Sequence, residues 1–187
     1  MTIVALGDSL VAGYGLAGVD AFPSRLQQAL ADKGFAVTIV NAGVSGDTAS
    51  GGLARLDWSV PDGTDAVILE LGANDALRGF DPAVTRKALD AILGRLAARK
   101  IPVLLCGMLA PPNLGAEYGQ AFNAIYPDLA AQYAAILYPF FLAGVAADPS
   151  LNQRDGLHPT PAGVAVIVER ILPTVEQLIG RAKTPRS

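Results

Sequence analysis

Ser9 stands just past a short apolar run, in Gly7-Asp8-Ser9-Leu10, and the chain carries a single histidine, His158. Three residues before that histidine stands Asp155, with Gly156 between them free to turn the chain. A serine hydroxyl is inert until a base takes its proton, and imidazole is the side chain suited to that near neutral pH. A carboxylate so close to the imidazole can hold its tautomer, stabilise its protonated form and raise its affinity for the proton. The chemistry these three residues could do is acyl transfer, with Ser9 as nucleophile. Acyl transfer also needs donors aimed at the developing oxyanion. The Ser9 backbone N–H is one, Gly46 lies in a loop where bare backbone can approach a substrate, and Asn74 offers a side-chain amide. Taken singly, His158 would equally suit a helix-flanking surface, and Asn74 an Asx turn leaving a strand.

A competing chemistry shares the same stretch. Gly13, Gly15 and Gly18 spell G-x-G-x-x-G, the pattern of a dinucleotide-binding turn. That turn needs its glycines at the strand-to-helix junction and an acid at the end of the second strand. Here the first glycine of the triplet lies well past the first apolar run, and the second run ends in Val40-Asn41-Ala42. No Gly-Lys-Ser or Gly-Lys-Thr occurs, so a Walker loop is excluded as well. The glycines read as backbone freedom around a tight bend.

The elements that must position these residues follow from the apolar pattern. Runs rich in Val, Ile and Leu recur near residues 4, 39, 68, 103 and 137, each apolar on both faces, as buried parallel strands are. Helical patterns separate them. Residues 81–99 open with Asp81 as N-cap and Pro82 at the first position, and Val84, Ala88, Ala91, Ile92 and Leu96 share a face. A second helix should end at Gly34, a left-handed cap, and a last one should begin after Thr160-Pro161 and run towards Leu178. Strand–helix alternation predicts a three-layer α/β/α fold with a five-stranded parallel sheet in flavodoxin-like order, over residues 1–187 as one domain with 181–187 as a loose tail. Chemistry in such folds collects at the carboxyl ends of the strands. Small and polar residues gather at those places: Gly7-Asp8-Ser9, Asn41 to Thr48, Gly72 to Asp75, and the Pro- and Gly-rich stretch after Cys106-Gly107. Asp155 to Pro159 lies directly before the last helix.

Composition narrows the partners. Of 187 residues, 51% are hydrophobic and 17% charged, which fits a packed globule. The net charge of −3 argues against nucleic acid. No apolar stretch approaches the roughly 20 residues of a membrane span, and no signal-peptide core precedes the first strand. The expectation is a monomer without stable membrane insertion, cytoplasmic as written or periplasmic or secreted after removal of a leader. Cys106 alone cannot form an internal disulfide, and one Cys with one His cannot supply a structural zinc site, so no metal is expected. Cys106 reads as core, and Glu70 as an acid interrupting an apolar strand beneath the site. Trp58, Phe80, Tyr118, Phe122 and Tyr126 read as core or helix packing.

The blocks GDSL around Ser9, SGDT around Gly46, GAND around Asn74 and DGLHP around Asp155 and His158 resemble, in order, those of the SGNH (GDSL) hydrolases. The flanking GDSLVAGYG, NAGVSGDTASGGLARL, ELGANDALRGF and FNAIYPDLA are similar to the bacterial thioesterase I / lysophospholipase / arylesterase branch. The resemblance implies Ser9, Asp155 and His158 as the triad, with Ser9, Gly46 and Asn74 as the oxyanion hole. It also implies hydrolysis of acyl esters and thioesters without cofactor or metal. Phe80, Leu109 and Pro111, which flank strand ends, are the expected substrate-binding residues. Two other activities stay open at this point: a carbohydrate O-acetyl esterase, and a non-catalytic small-ligand binder on the same scaffold.

Overall fold

The computed structural model describes residues 1–184. Five strands, β1 (Thr2–Gly7), β2 (Thr38–Gly43), β3 (Ala66–Glu70), β4 (Val103–Cys106) and β5 (Ile136–Tyr138), form one parallel sheet in the order β2-β1-β3-β4-β5. Between them run α1 (Ser9–Ala12), α2 (Phe22–Asp32), α3 (Ala49–Ala54), α4 (Leu56–Ser59), α5 (Ala73–Leu77), α6 (Pro82–Ala98), α7 (Ala116–Asn123) and α8 (Ile125–Gln132), and α9 (Pro161–Lys183) follows the last strand. Helices α2 and α9 pack together on one face, while α3, α6 and α8 cover the other. This is the expected three-layer α/β/α arrangement.

The inner strands follow their sequence closely. Every residue of β3 and β4, and all but the first of β1, is buried, because helices cover both faces. β2 departs from that expectation. It is an edge strand with only Ile39 fully buried, and Val40 is exposed. Its apolar run is longer than its core.

Helix ends fall where local chemistry puts them. The Asp81 side chain accepts from Ala83 N–H to start α6, and Thr160 accepts from Gly163 N–H to start α9. Gly34 follows α2 with φ +84°. α9 runs past Leu178 to Lys183, carrying Pro173 inside it, so Arg181–Lys183 are helical where a tail was expected. Its buried residues, among them Val164, Ile167, Val168, Ile171, Val175 and Leu178, repeat at three- and four-residue intervals, and that stripe holds the helix on the sheet. Thr184 caps that helix, and residues 185–187 of the expected tail lie outside the described residues.

The order β2-β1-β3 fixes where a ligand can sit. The chain leaves β1 towards β2 and then crosses back to β3, so the loops after β1 and β3 diverge and open a crevice at their carboxyl ends. In register, Gly43, Gly7, Glu70 and Cys106 form one row across the sheet. Ser9 lies two residues beyond that row on β1, and Asn74 four beyond it on β3.

Candidate active site

Ser9 is the first residue of α1, and the preceding Asp8 caps that helix by accepting from Leu10 N–H at 3.0 Å. Its hydroxyl is nearly buried and lies 2.9 Å from His158 Nε2. The histidine arrives from a loop at the far end of the chain. Asp155 Oδ1 accepts from the backbone N–H groups of Leu157 and His158, at 2.9 and 3.0 Å, which coils the loop into an Asx-type turn. Its other oxygen lies 2.7 Å from His158 Nδ1. Those three contacts, the imidazole first, hold the Asp155 carboxyl down to about 2. Tyr14 packs against the imidazole with ring centroids 4.5 Å apart, and Gln153 ties that segment down by donating to Tyr14 O and Pro159 O.

Asn74 and Gly46, the other donors expected for the oxyanion, lie just past the ends of β3 and β2. Asn74 is the second residue of α5, whose N-cap is Gly72 with φ +119°. A side chain at Gly72 would stand 2.2 Å from Tyr126 Oη, which itself donates to Leu71 O, so only glycine permits this turn. The Asn74 amide donates to Asp47 O at 2.9 Å and to Asp8 Oδ2 at 3.1 Å. Gly46 sits in the loop after β2 at φ +83°, a left-handed conformation, and its carbonyl accepts from Arg78.

Several residues that support the site carried no clear sequence signal. Arg55, nearly buried, donates to Asp47 Oδ2 at 2.6 Å, to Ala42 O and Gly7 O at 2.8 Å each, and to Ser59 Oγ at 3.0 Å. One guanidinium thus joins the ends of β1 and β2 to the loop whose carbonyl meets Asn74. Its rigid fork of donors suits this task in a way an ammonium does not. Asp75, beside Asn74, accepts from Ala49 N–H and from Thr85 Oγ1, tying α5 to α3 and α6. Burial raises its carboxyl above the ordinary range.

Beside Ser9 opens a pocket of about 460 Å³, lined by Leu77, Met108, Leu109, Pro111, Phe140 and Leu142 among others, with Asn74 and His158 at its polar end. Leu109 and Pro111 are where the sequence placed substrate contacts. Phe80 is not among the lining residues; it lies in the turn between α5 and α6, exposed, with Tyr118 Oη donating to its carbonyl. Trp58 also departs from its expected packing. It sits two residues after buried Leu56 on a four-residue helix, so its side chain points away from the core and is 73% exposed. Phe122 and Tyr126 are buried as expected, and Tyr118 stacks on Phe122. Cys106 is buried in the core, where desolvation pushes its thiol well up. No helix of the described residues is long and apolar enough to cross a membrane. Nor is any group of three or more His, Cys, Asp or Glu placed among them to hold a metal ion.

A family model, the GDSL-like Lipase/Acylhydrolase family, matches residues 5–166. The chain belongs to that family. It is similar to esterase TesA of Pseudomonas aeruginosa, 40% identical over 179 residues that cover 95% of this chain and 89% of that protein. It is also similar to the thioesterase 1/protease 1/lysophospholipase L1 of Escherichia coli K12, 38% identical over 95% of this chain and 85% of the relative. Among solved structures, AlinE4, a SGNH-hydrolase family esterase, superposes with a TM-score of 0.80 at 49% identity, covering 94% of this chain and 95% of its own. The protein is accordingly an enzyme of the acylhydrolase class, with the SGNH-hydrolase fold.

Proposed function

We propose that this acylhydrolase is a serine esterase acting on acyl esters and thioesters through Ser9, His158 and Asp155. The observation that carries the reading is the unbroken chain Ser9 Oγ–His158 Nε2, 2.9 Å, and His158 Nδ1–Asp155 Oδ2, 2.7 Å, at the mouth of an apolar pocket. His158 takes the Ser9 proton as Oγ attacks the acyl carbonyl, and Asp155 stabilises the imidazolium. The Ser9 and Gly46 N–H groups and the Asn74 amide receive the oxyanion. His158 then gives its proton to the departing alcohol or thiol, and a water activated by the same imidazole releases the acid and frees Ser9. The relatives named as esterase and as thioesterase support both substrate kinds.

The lining of the pocket favours an acyl chain over a sugar. Leu77, Met108, Leu109, Pro111, Phe140 and Leu142 offer an apolar wall that a fatty acyl group would cover and a polar pyranose would not. Each methylene of chain buried there is worth about 0.8 kcal/mol, so kcat/KM should rise by roughly fourfold per carbon until the pocket is filled. A series of p-nitrophenyl esters from acetate to palmitate reads this directly. A series that peaks at acetate and falls from there would turn the assignment towards small-acyl de-esterification.

Asn74→Ala should lower kcat by about 10²–10³ and leave KM nearly unchanged, since the amide meets a charge that exists only in the transition state. A variant that raises KM without touching kcat would make Asn74 a ground-state contact instead.

A further inference from the structure

Two carboxylic acids lie directly behind the nucleophile, and the triad uses neither. Asp8 and Glu70 are both 0% exposed, on neighbouring strand ends where Gly7 and Glu70 are register partners. Glu70 Oε2 accepts from Asp8 N–H at 3.4 Å. Glu70 Oε1 has no hydrogen-bond partner among the described residues. An ionised carboxylate with an orphaned oxygen in a dry core is the costliest form this group could take, so the proton stays on Glu70. The acid on the adjoining strand end next to that proton is Asp8.

Asp8 is the opposite case. Its carboxylate collects donors: Leu10 N–H on Oδ1 and Asn74 Nδ2 on Oδ2, with the Glu70 carboxyl on the neighbouring strand beside it. Together they turn one oxygen of Asp8 towards the amide expected to meet the oxyanion. We propose that Asp8, kept anionic by the proton on Glu70, is a positioning residue that orients the Asn74 amide for catalysis. This rests on the assignment of Ser9 and Asn74 made above. Both Asn74 amide hydrogens are already engaged, on Asp47 O and on Asp8 Oδ2, and the Asp8 bond is the longer at 3.1 Å. The oxyanion therefore shares the hydrogen that Asp8 holds in place. Asp8 also interacts electrostatically with His158, so its charge favours the imidazolium that forms as Ser9 loses its proton.

The ionisation of Asp8 then becomes visible in the rate. Burial, opposed by its hydrogen bonds, pushes Asp8 up to about 6, and burial with the adjacent Asp8 charge pushes Glu70 well up. Other titratable groups face the pair from each side. Cys106 on β4 and Tyr126 on α8 are both pushed up by burial and stay neutral, and Asp75 reaches Tyr126 from α5. The Arg55 guanidinium is bound to Asp47 and to the Gly7 carbonyl. Asp8 is thus the buried acid behind the nucleophile whose charge is lost as pH falls through about 6.

The experiment is a kcat/KM profile from pH 4.5 to 9 on a p-nitrophenyl ester for the wild type, Glu70→Gln, Glu70→Leu and Asp8→Asn. The wild-type acid limb should steepen to a slope approaching two, one proton on His158 and one on Asp8. Glu70→Gln keeps an N–H donor for Asp8 and should keep the limb in place. Glu70→Leu removes that donor, so the limb should move to higher pH with KM unaltered. Asp8→Asn should reduce the slope to one and cost kcat at least tenfold, up to the about 10²–10³ of a lost oxyanion-hole donor. A wild-type slope of one, matched by Asp8→Asn, would overturn the proposal even if Glu70→Leu does not fold. So would a folded Glu70→Leu enzyme with the wild-type limb. A wrong nucleophile assignment would show itself separately, as activity surviving in Ser9→Ala.

Discussion

Ser9→Ala should leave no ester hydrolysis above the residual that binding and the oxyanion hole alone supply. In a serine protease the equivalent loss is about 10⁶ in kcat, because nucleophile, base and orienting acid work as a unit. The folded state should scarcely notice. The substitution removes one hydroxyl and its 2.9 Å contact to His158 Nε2, and that imidazole is partly open to water, which can take the vacated place. A net hydrogen bond is worth about 0.5–1.5 kcal/mol, a shift of roughly 1–6 °C in Tm for a domain of this size. The two readouts together separate chemistry from folding. Hydrolysis of a p-nitrophenyl ester is followed alongside a thermal melt. Ser9→Ala retaining a tenth of the wild-type rate would remove Ser9 as nucleophile. A collapse in Tm would mean the hydroxyl holds α1 in place, and the lost rate would then say nothing about attack.

The residues of the site were legible in sequence for a physical reason that does not extend to their supports. Ser9, Gly46 and Asn74 each lie just past an apolar run, and parallel strands bring such positions to one edge of a sheet whatever their separation along the chain. His158 and Asp155 could be paired because three residues of spacing with a glycine between them make a turn. Arg55 gave no comparable signal. Its partners Gly7, Ala42, Asp47 and Ser59 are chosen by tertiary approach, and three of its four bonds go to atoms at the ends of β1 and β2 or in the loop beyond. Glu70 stood out as an acid in an apolar strand, yet its partner Asp8 is a neighbour only once β1 and β3 are in register. Edge effects explain the misplaced apolar residues. Val40, Trp58 and Phe80 are hydrophobic by type but fall on an edge strand, a short helix and a turn, where periodicity alone does not say which side is covered. Leu109 and Pro111 reached the pocket because the stretch after β4 overhangs the strand ends, whereas Phe80 is held outside it by the bend between α5 and α6.

Asp155→Asn should cut kcat by about 10⁴, the loss measured for this exchange in a serine protease, while leaving Ser9 and His158 in place. The geometry gives the reason. Asp155 Oδ1 is pinned by the backbone N–H groups of Leu157 and His158, at 2.9 and 3.0 Å, and an asparagine oxygen can accept both. The amide nitrogen is then forced into the place of Oδ2, 2.7 Å from His158 Nδ1. An amide there donates, so Nδ1 must accept, and the imidazole proton moves to Nε2. That proton faces Ser9 Oγ, and a protonated Nε2 cannot take the hydroxyl hydrogen. The same geometry fixes the role of pH. Held down to about 2, the Asp155 carboxyl is charged above the ordinary carboxylate range, and its charge is lost only as pH falls through about 2. It contributes no limb between pH 4.5 and 9, and the loss in Asp155→Asn should therefore be nearly constant across that range down to the pH where the base itself protonates. Because the Asp155 side chain is 37% exposed, the variant should melt close to the wild type. Single-turnover rates on a p-nitrophenyl ester, compared at pH 7, 8 and 9, measure the effect. A loss below tenfold at every pH would mean that His158 finds its tautomer without Asp155, and that the acid belongs to the turn alone.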